Sequence, residues 1–428
     1  IRPPVRPSAQ DSKQSPSLIP PFEKMISPLF TFCLRRKWWL PAVLLAMPTH
    51  GYAAPMVPAN ENTVLESLPV RPGDPRAALL RDLRAQLSRQ PKDLARALKL
   101  AQAYYSQVAE EGDPRFIGYA EAALAPWWSA PDAPVDVLVL RASIKQYRHE
   151  FAEALADLSR AQARNPAYAP AWTTSAAIHT VQARYDEARK HCDKLLALTS
   201  RLIARGCSLS VDSINGKSAE AYTSLLKELQ EAESRPQNGP SVEQKLWIQT
   251  RLGEMAQRTG DAVMGEKHFR GALALGISDG YLQAAYADLL LQQKRPAEVV
   301  ALLKDKTRSD LLLLRLTIAE QQLGRPEFAS HRDALIARFE AARMRGDKVH
   351  QTEESRFNLQ VLNNLGEAIR LAQENWQVQR EPRDARALLE AAAALNNFEA
   401  AHPVLQWMRT TGYEEADLRA LAARLTHK

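Results

Sequence analysis

Cysteine is scarce in this sequence, and so are apolar segments long enough to cross a membrane. Only 3 of the 428 residues are cysteine. The chain has no CxxC, CxxCH or HExxH motif, which excludes the common zinc and haem-attachment signatures. The apolar stretch from Trp38 to Met47 is ten residues long and contains Pro41, whereas a spanning helix needs about 20 residues. These absences favour a protein without a metal site or a stable membrane anchor.

Catalytic signatures are missing as well. The sequence contains no glycine-rich phosphate loop and no GxSxG nucleophile motif. Its paired carboxylates, Glu353–Glu354 and Glu414–Glu415, occur in stretches rich in arginine, where such residues usually form solvated helix faces. We therefore predict that the protein is not an enzyme and that it binds no cofactor.

What the sequence does contain is a repeat. One pattern of bulky and small residues occurs twice in register, at Leu138 and Trp172, Ala142 and Ala176, Phe151 and Tyr185, Ala154 and Ala188, and Leu158 and Cys192. This constant spacing matches the period of about 34 residues that helical hairpin repeats show. Each copy predicts two amphipathic helices that cannot bury their apolar faces alone. No long β-branched run alternates with polar residues, so the predicted fold class is all-α.

These residues resemble the tetratricopeptide repeat, in which small residues occupy the helix crossing points and a proline, here Pro166, closes the unit. A third copy has glycine at its crossing points, Gly253 and Gly265, which permits a closer backbone approach. Weaker copies flank these, with Ala97 in the first and Ala400 in the last. The resemblance implies hairpins stacked in a right-handed superhelical solenoid. A non-repetitive helical bundle is the alternative.

The N-terminal segment has the three-part pattern of a secretory signal peptide. Arg35 to Lys37 precede the apolar stretch, and small residues follow at Gly51 and Ala53. We predict cleavage after Ala53 and a periplasmic location, with a retained anchor as the alternative. Residues 1–53 hold seven of the 56 Lys and Arg residues and two of the 49 Asp and Glu residues. The remaining chain is therefore nearly neutral and shows no basic stripe typical of nucleic-acid binding.

The predicted organisation has six parts. They are an upstream extension or disordered tail at 1–24, a signal peptide at 25–53, a proline-rich lead-in with a first helix at 54–91, an N-terminal repeat array at 92–231, a linker at 232–241 and a C-terminal repeat array at 242–428. The C-terminal half, with the paired cysteines, resembles a group of exported proteobacterial tetratricopeptide proteins. That resemblance implies an architecture and no particular activity.

Export would leave two cysteines, Cys192 and Cys207, in an oxidising compartment. The repeat register places them on successive helices that pack together, within reach of a disulfide. We predict that they are bonded. The alternative is that both are small apolar residues at helix crossings.

Tetratricopeptide arrays bind partners on the concave side, which is lined by the first helix of each hairpin. Carried onto this sequence, that register predicts a mixed polar surface with two aromatic anchors, formed by Asp136, Gln146, Tyr147, Thr173, Thr180, Trp247, Glu254 and Arg258. We expect truncation of Trp247 or Arg258 to weaken partner capture without changing stability. The paired tryptophans Trp127–Trp128 either pack over the first groove or dock a partner.

The function predicted from these features is a periplasmic scaffold that mediates protein–protein interactions in an envelope-associated assembly. The partner would be a protein or an extended peptide, with no nucleic acid and no stable membrane insertion after signal removal. One alternative is a non-catalytic subunit or substrate-groove element of an envelope enzyme. Another is self-association through exposed terminal repeats; the sequence leaves the oligomeric state open.

Overall fold

The structure is a computed structural model that describes residues 74–111, 113–235 and 239–426. The N-terminal extension and the signal peptide lie outside these ranges, so those two predictions stay predictions. Every regular element in the described ranges is a helix, and none of these helices is long and apolar enough to cross a membrane. The all-α prediction is confirmed.

The helices follow one another in the order α1 (Pro75–Arg89), α2 (Leu94–Glu111), α3 (Arg115–Ala123), α4 (Ala125–Trp128), α5 (Val135–Tyr147), α6 (Phe151–Arg164), α7 (Ala169–Val181), α8 (Tyr185–Leu195), α9 (Arg201–Ile214), α10 (Ser218–Glu233), α11 (Val242–Arg258), α12 (Ala262–Leu273), α13 (Gly280–Gln292), α14 (Pro296–Leu303), α15 (Asp310–Leu323), α16 (Phe328–Met344), α17 (Gln351–Gln360), α18 (Leu365–Val378), α19 (Pro382–Leu395), α20 (Phe398–Thr411) and α21 (Ala416–Thr426).

From α5 onward the helices pair as hairpins, α5 with α6 and so on to α19 with α20, and α2 pairs with α3 in the same way. We call the first member of each pair an A helix and the second a B helix. Each A helix from α5 to α19 also contacts the next A helix along the chain. This side-by-side stacking of hairpins is a repeat solenoid of the tetratricopeptide type.

The burial of the residues at the helix crossings explains why the repeat pattern recurs in register. Helices α5 and α7 begin at equivalent positions of the two copies, Val135 and Ala169. The small residues at the crossing points, Ala142, Ala154 and Ala188, have no exposed surface. They allow the helices of one hairpin to approach closely, and bulky partners such as Phe151 and Leu158 fill the space beside them.

Glycines serve the same purpose in the hairpin of α11 and α12. A Cβ added to Gly253 would lie 2.5 Å from the fully buried ring of Phe269. A Cβ on Gly265 would lie 3.2 Å from the carbonyl oxygen of Gly253. The helices therefore meet through backbone at this crossing, as the sequence predicts.

The predicted linker at 232–241 coincides with the connection between α10, which ends at Glu233, and α11, which begins at Val242. Packing continues across it. One hydrophobic cluster contains Leu209 of α9, Leu225 of α10 and Ile248 of α11. The segment is a connection between hairpins that share a core.

The array also closes on itself. The backbone N–H of Arg380 donates to the carbonyl oxygen of Val181 at 2.8 Å, and the indole N–H of Trp407 donates to the hydroxyl of Tyr185 at 2.9 Å. One hydrophobic cluster accordingly joins residues of α7, α8 and α9 to residues of α18 to α21. We call this meeting of remote hairpins the closing contact.

Candidate functional site

The A helices enclose a cavity of about 630 Å³. Seven successive A helices, from α7 to α19, contribute side chains to its wall, and the loop between α20 and α21 adds Tyr413 and Glu415. The A helices therefore line this cavity in the part of the chain that the structure describes. Cavities of a few hundred Å³ accommodate a drug-sized ligand or a short stretch of chain.

The charged residues of the cavity wall balance one another. Its six cations are all arginines, and six carboxylates face the same space: Arg251, Arg258, Arg315, Arg356, Arg383 and Arg386 with Glu254, Asp288, Glu353, Glu381, Glu390 and Glu415. A wall with no excess of either sign does not select a ligand by its net charge. Its specificity must come from individual groups.

Asp288 of α13 is held between two arginines from the next two A helices. Its carboxylate accepts from Arg315 at 2.6 Å and from Arg356 at 2.5 Å. Burial alone would raise the pKa of Asp288, but the two guanidinium groups hold it below the ordinary value. This bridge ties α13, α15 and α17 together on the cavity side.

A second chain of polar contacts joins α9, α11 and the closing contact. Arg258 donates to the Ser213 hydroxyl at 2.7 Å and to the Tyr413 hydroxyl at 3.3 Å. Tyr413 in turn donates to Glu415 at 2.7 Å, and Arg386 also pairs with Glu415. Burial and the neighbouring Glu415 raise the pKa of Tyr413, so the phenol stays protonated and keeps donating.

Tyr281 supplies an aromatic surface within the cavity. The guanidinium of Arg251 lies 4.8 Å from the centre of its ring, and its hydroxyl donates to Glu254, which also pairs with Arg251 at 2.9 Å. The residue keeps 37% of its surface exposed although it lines the cavity. Its ring is therefore available to a bound molecule.

Glutamines line the cavity at the C-terminal ends of four successive A helices. They are Gln257 of α11, Gln292 of α13, Gln321 and Gln322 of α15, and Gln360 of α17. Gln257 donates to Gln292 at 2.7 Å, and Gln360 donates to Glu390 at 3.2 Å. Amide side chains both donate and accept, so this edge suits the peptide groups of a polypeptide.

Of the eight residues predicted for the concave surface, Thr180, Glu254 and Arg258 line the cavity. Asp136 is exposed and accepts from the hydroxyl of Tyr168 at 2.5 Å, and Thr173 is exposed and donates to the carbonyl of Ala169. Gln146 and Tyr147 are half-buried at the end of α5. A binding role for any of these residues stays a prediction.

Trp247 and Arg258 are engaged inside the fold. The ring of Trp247 packs against α9, with a ring carbon 2.7 Å from the position of a Cβ on Gly206. Arg258 is only 8% exposed and makes the two hydrogen bonds described above. Truncating either side chain removes internal contacts, contrary to the expectation that stability would be unchanged.

The prediction that Glu353–Glu354 lie on a solvated face is wrong. Glu353 is 9% exposed and Glu354 is 5% exposed. The helix that carries them, α17, has neighbours on both sides in the A-helix layer and pairs with α18, so little of its surface reaches solvent. Glu354 pairs with Arg343.

The two cysteines are joined, as predicted. The disulfide links Cys192 of α8 to Cys207 of α9, whose Cα atoms are 5.5 Å apart. Cys192 is fully buried at the crossing position that the repeat register gives it.

The tryptophan pair in α4 packs against the array. Both rings are half-buried against the N-terminal hydrophobic cluster. The carbonyls of Trp127 and Trp128 accept from Arg141, at 3.3 and 2.5 Å. Arg141 also pairs with the buried Asp157 at 2.5 Å. These contacts favour the packing alternative over a docking role.

Sequence reasoning missed the contributions of α13, α15, α17 and α19 to the cavity. A helix-period signal exists, since Tyr281, Ala284, Asp288 and Leu291 follow one face of α13. The repeat register could not be extended to these helices, because successive A helices begin at uneven intervals. From α7 to α19 they begin at Ala169, Arg201, Val242, Gly280, Asp310, Gln351 and Pro382.

In the described ranges no group of three or more His, Cys, Asp or Glu residues could hold a metal ion.

The fold and cavity define a class of protein, an all-α array of tetratricopeptide-type hairpins with a charged but balanced interior. No protein-family model and no curated protein matches this sequence.

Solved structures similar to this chain include the Cut9–Hcn1 hetero-tetramer of the APC/C, with 12% identity, 82% of this chain and 86% of that chain covered, and a TM-score of 0.39. Yeast Tom70 shows 13% identity over 82% and 95% of the two chains, with a TM-score of 0.29. The TPR domain of P58(IPK) shows 16% identity over 82% and 97%, with a TM-score of 0.19. Because these TM-scores are low, the assignment of the fold rests on the hairpins of this chain.

Proposed function

We propose that this protein is a scaffold that holds a segment of a partner protein in the cavity formed by its A helices. The observation that carries the proposal is the cavity wall itself, in which an exposed aromatic ring, a row of glutamines and balanced charges face one space of about 630 Å³. Such a wall offers stacking, amide hydrogen bonds and ion pairs, the interactions with which proteins recognise extended chains.

A site-specific photo-crosslinker tests this proposal. Placed at Tyr281 in the full chain, it should capture one partner in intact cells, and mass spectrometry should map the crosslink to a single segment of that partner. The matched control is Val263, which is 77% exposed on the B helix α12 and does not line the cavity. Equal capture from both positions would contradict binding in the cavity.

We propose further that the protein is exported and works in an envelope-associated assembly. The support is the order of basic, apolar and small residues from Arg35 to Ala53. N-terminal sequencing of protein extracted from cells should begin at Ala54. Recovery of the intact apolar segment from a cytosolic fraction would refute export and leave the scaffold proposal standing.

A further inference from the structure

One carboxylate in the cavity wall has no counterpart. Glu353 lies in the first turn of α17, lines the cavity and is 9% exposed. Among the residues that the structure describes, none forms a hydrogen bond or ion pair with its side chain. Burying a carboxylate without a partner costs free energy. In natural proteins such a carboxylate is therefore usually paired with another group of the protein or with a ligand.

The other five carboxylates of the wall are all paired. Glu254 pairs with Arg251 at 2.9 Å, Glu381 with Arg383 at 2.9 Å and Glu390 with Arg386 at 3.3 Å. Glu415 and Asp288 are held by the contacts described above. Five arginines of the wall pair with these five carboxylates, whereas the sixth, Arg258, bonds to the hydroxyls of Ser213 and Tyr413. One carboxylate, Glu353, is therefore left over.

The arginine on the neighbouring A helix is already engaged. Arg315 of α15 is 5% exposed, and its terminal nitrogens bond to the Leu311 carbonyl at 2.8 Å and to Asp288 at 2.6 Å. Its Nε, also buried, has no hydrogen-bond partner within the described ranges. That nitrogen is covered by protein atoms and does not reach the cavity space. Because Asp288 occupies one terminal nitrogen and the Leu311 carbonyl occupies the other, Arg315 does not serve as the ion-pair partner of Glu353.

Glu353 is one of four carboxylates whose charge acts on Tyr147 of α5. Burial raises the pKa of the Tyr147 phenol, and the carboxylates of Asp347, Asp310, Asp113 and Glu353 raise it further. Arg315 and Arg383 also feel the charge of Glu353, but each is bound to another carboxylate. A cationic group of a ligand could therefore pair with Glu353 without displacing an existing ion pair.

We propose that the partner segment carries a lysine or arginine whose side chain pairs with Glu353. This inference rests on the proposed function and adds the chemistry of its partner. A polypeptide fits better than a free cation, because the glutamines along the wall match peptide groups and a lone ammonium ion would leave them unused.

Selection of phage-displayed random hexapeptides on the immobilised full chain tests the proposal. Three proteins are compared: the parent, E353Q, and the control E399Q, which removes an exposed carboxylate on α20 outside the cavity. Peptides selected on the parent and on E399Q should carry a basic residue at a fixed position. Peptides selected on E353Q should not.

The pairing is then measured with one selected peptide and its variant in which norleucine replaces the basic residue. Each single change should weaken binding at least about tenfold, and the two together should cost little more than one, as expected of a direct pair. Glutamine removes an unpaired buried charge, so E353Q should remain folded by circular dichroism and melt no earlier than the parent.

The outcomes separate the two proposals. Selected peptides without a basic preference, or equal binding of one peptide to the parent and to E353Q, would overturn this inference and leave the scaffold standing. If lysinamide alone binds as tightly as the peptide, the partner is a small cation and the polypeptide assignment falls. Absence of any peptide selected above an uncoated surface would overturn both.

Discussion

At the scale of single residues, the sequence was most informative where a side chain is small. The alanines and glycines at the helix crossings were identified by their spacing alone, and the structure places Ala142, Ala154 and Gly253 at the contacts between helices. Large and charged residues were harder to interpret. Glu353 and Arg258 are polar in sequence but buried in the fold. The helices on either side of α17 cover Glu353, and Arg258 is covered by contacts that include the remote residue Tyr413.

Replacing Gly253 by alanine should destabilise the protein. The new methyl group would lie 2.5 Å from the ring of Phe269, which has no exposed surface and little room to move. Overpacking of this kind typically costs about 1–3 kcal/mol. Gly118→Ala is the matched control, since nothing lies within 4 Å of a Cβ there, and it should stabilise α3 by up to about 1 kcal/mol. Urea unfolding would measure the free energy of unfolding of both variants. Changes of the same sign in the two variants would contradict the packing argument.

His149 should make the protein acid-sensitive. It has a φ of 61° in the turn after α5, and its ring accepts from the Gln379 amide at 2.9 Å. Burial, with help from Arg383, lowers its pKa from 6.5 to about 4. The unfolded chain binds the proton more readily than the folded protein does, so the neutral His149 side chain contributes to the free energy of unfolding. This contribution is complete above pH 6.5 and is lost as the pH falls toward 4.

Asparagine tolerates a positive φ and does not titrate, so His149→Asn is the variant of choice. Between pH 7 and pH 4 the parent should lose up to about 3 kcal/mol of unfolding free energy relative to the variant. The measurement is a pair of urea unfolding series across that range. A difference between the two proteins that stays constant with pH would show that His149 is not the titrating group.

At the scale of elements, the sequence predicted the central hairpins well. Two copies in register gave α5 to α8. The same register placed Cys192 and Cys207 on packed neighbours, α8 and α9. Local periodicity is enough for this, because each hairpin is stabilised mainly by its own two helices and the adjacent pair.

The disulfide between α8 and α9 should contribute substantially to stability. It closes a loop with a sequence separation of 15, for which the chain-entropy estimate is about 3 kcal/mol. The double variant Cys192→Ala/Cys207→Ala should unfold at lower urea, and reductant should bring the parent to the same midpoint without affecting the variant. Alkylation of both cysteines in the native parent without reductant would rule the bond out.

At the scale of the whole described array, the closing contact couples hairpins that are remote along the chain. Trp407 is its centre: it bonds to Tyr185 across a sequence separation of 222, packs edge-on to Trp376 at 5.7 Å and lies 4.9 Å from the Tyr413 ring. In an open repeat array, each hairpin contacts only its neighbours. In this array, hairpins that are remote along the chain are also in contact.

Trp407→Ala should therefore loosen α8 as well as α20. The loss of a buried aromatic side chain typically costs about 3–5 kcal/mol, and hydrogen exchange should show reduced amide protection in both helices. Phe339→Ala in α16 is a suitable control, since Phe339 is 2% exposed and belongs to a different hydrophobic cluster. Protection of α8 that is unchanged in Trp407→Ala would show that the closing contact carries little stability.

The sequence by itself determined that the chain forms helical hairpins, which small residues lie at their crossings and which cysteines meet, because these features depend on spacings within one or two repeats. Only the tertiary structure decided which residues face one another across the cavity and that α18 to α21 return to α7 to α9. The direction of the array at any point is the sum of many small rotations between hairpins of unequal length. Such a sum cannot be obtained from local periodicity, so the pairing of Asp288 with Arg356 and the isolation of Glu353 became visible only in three dimensions.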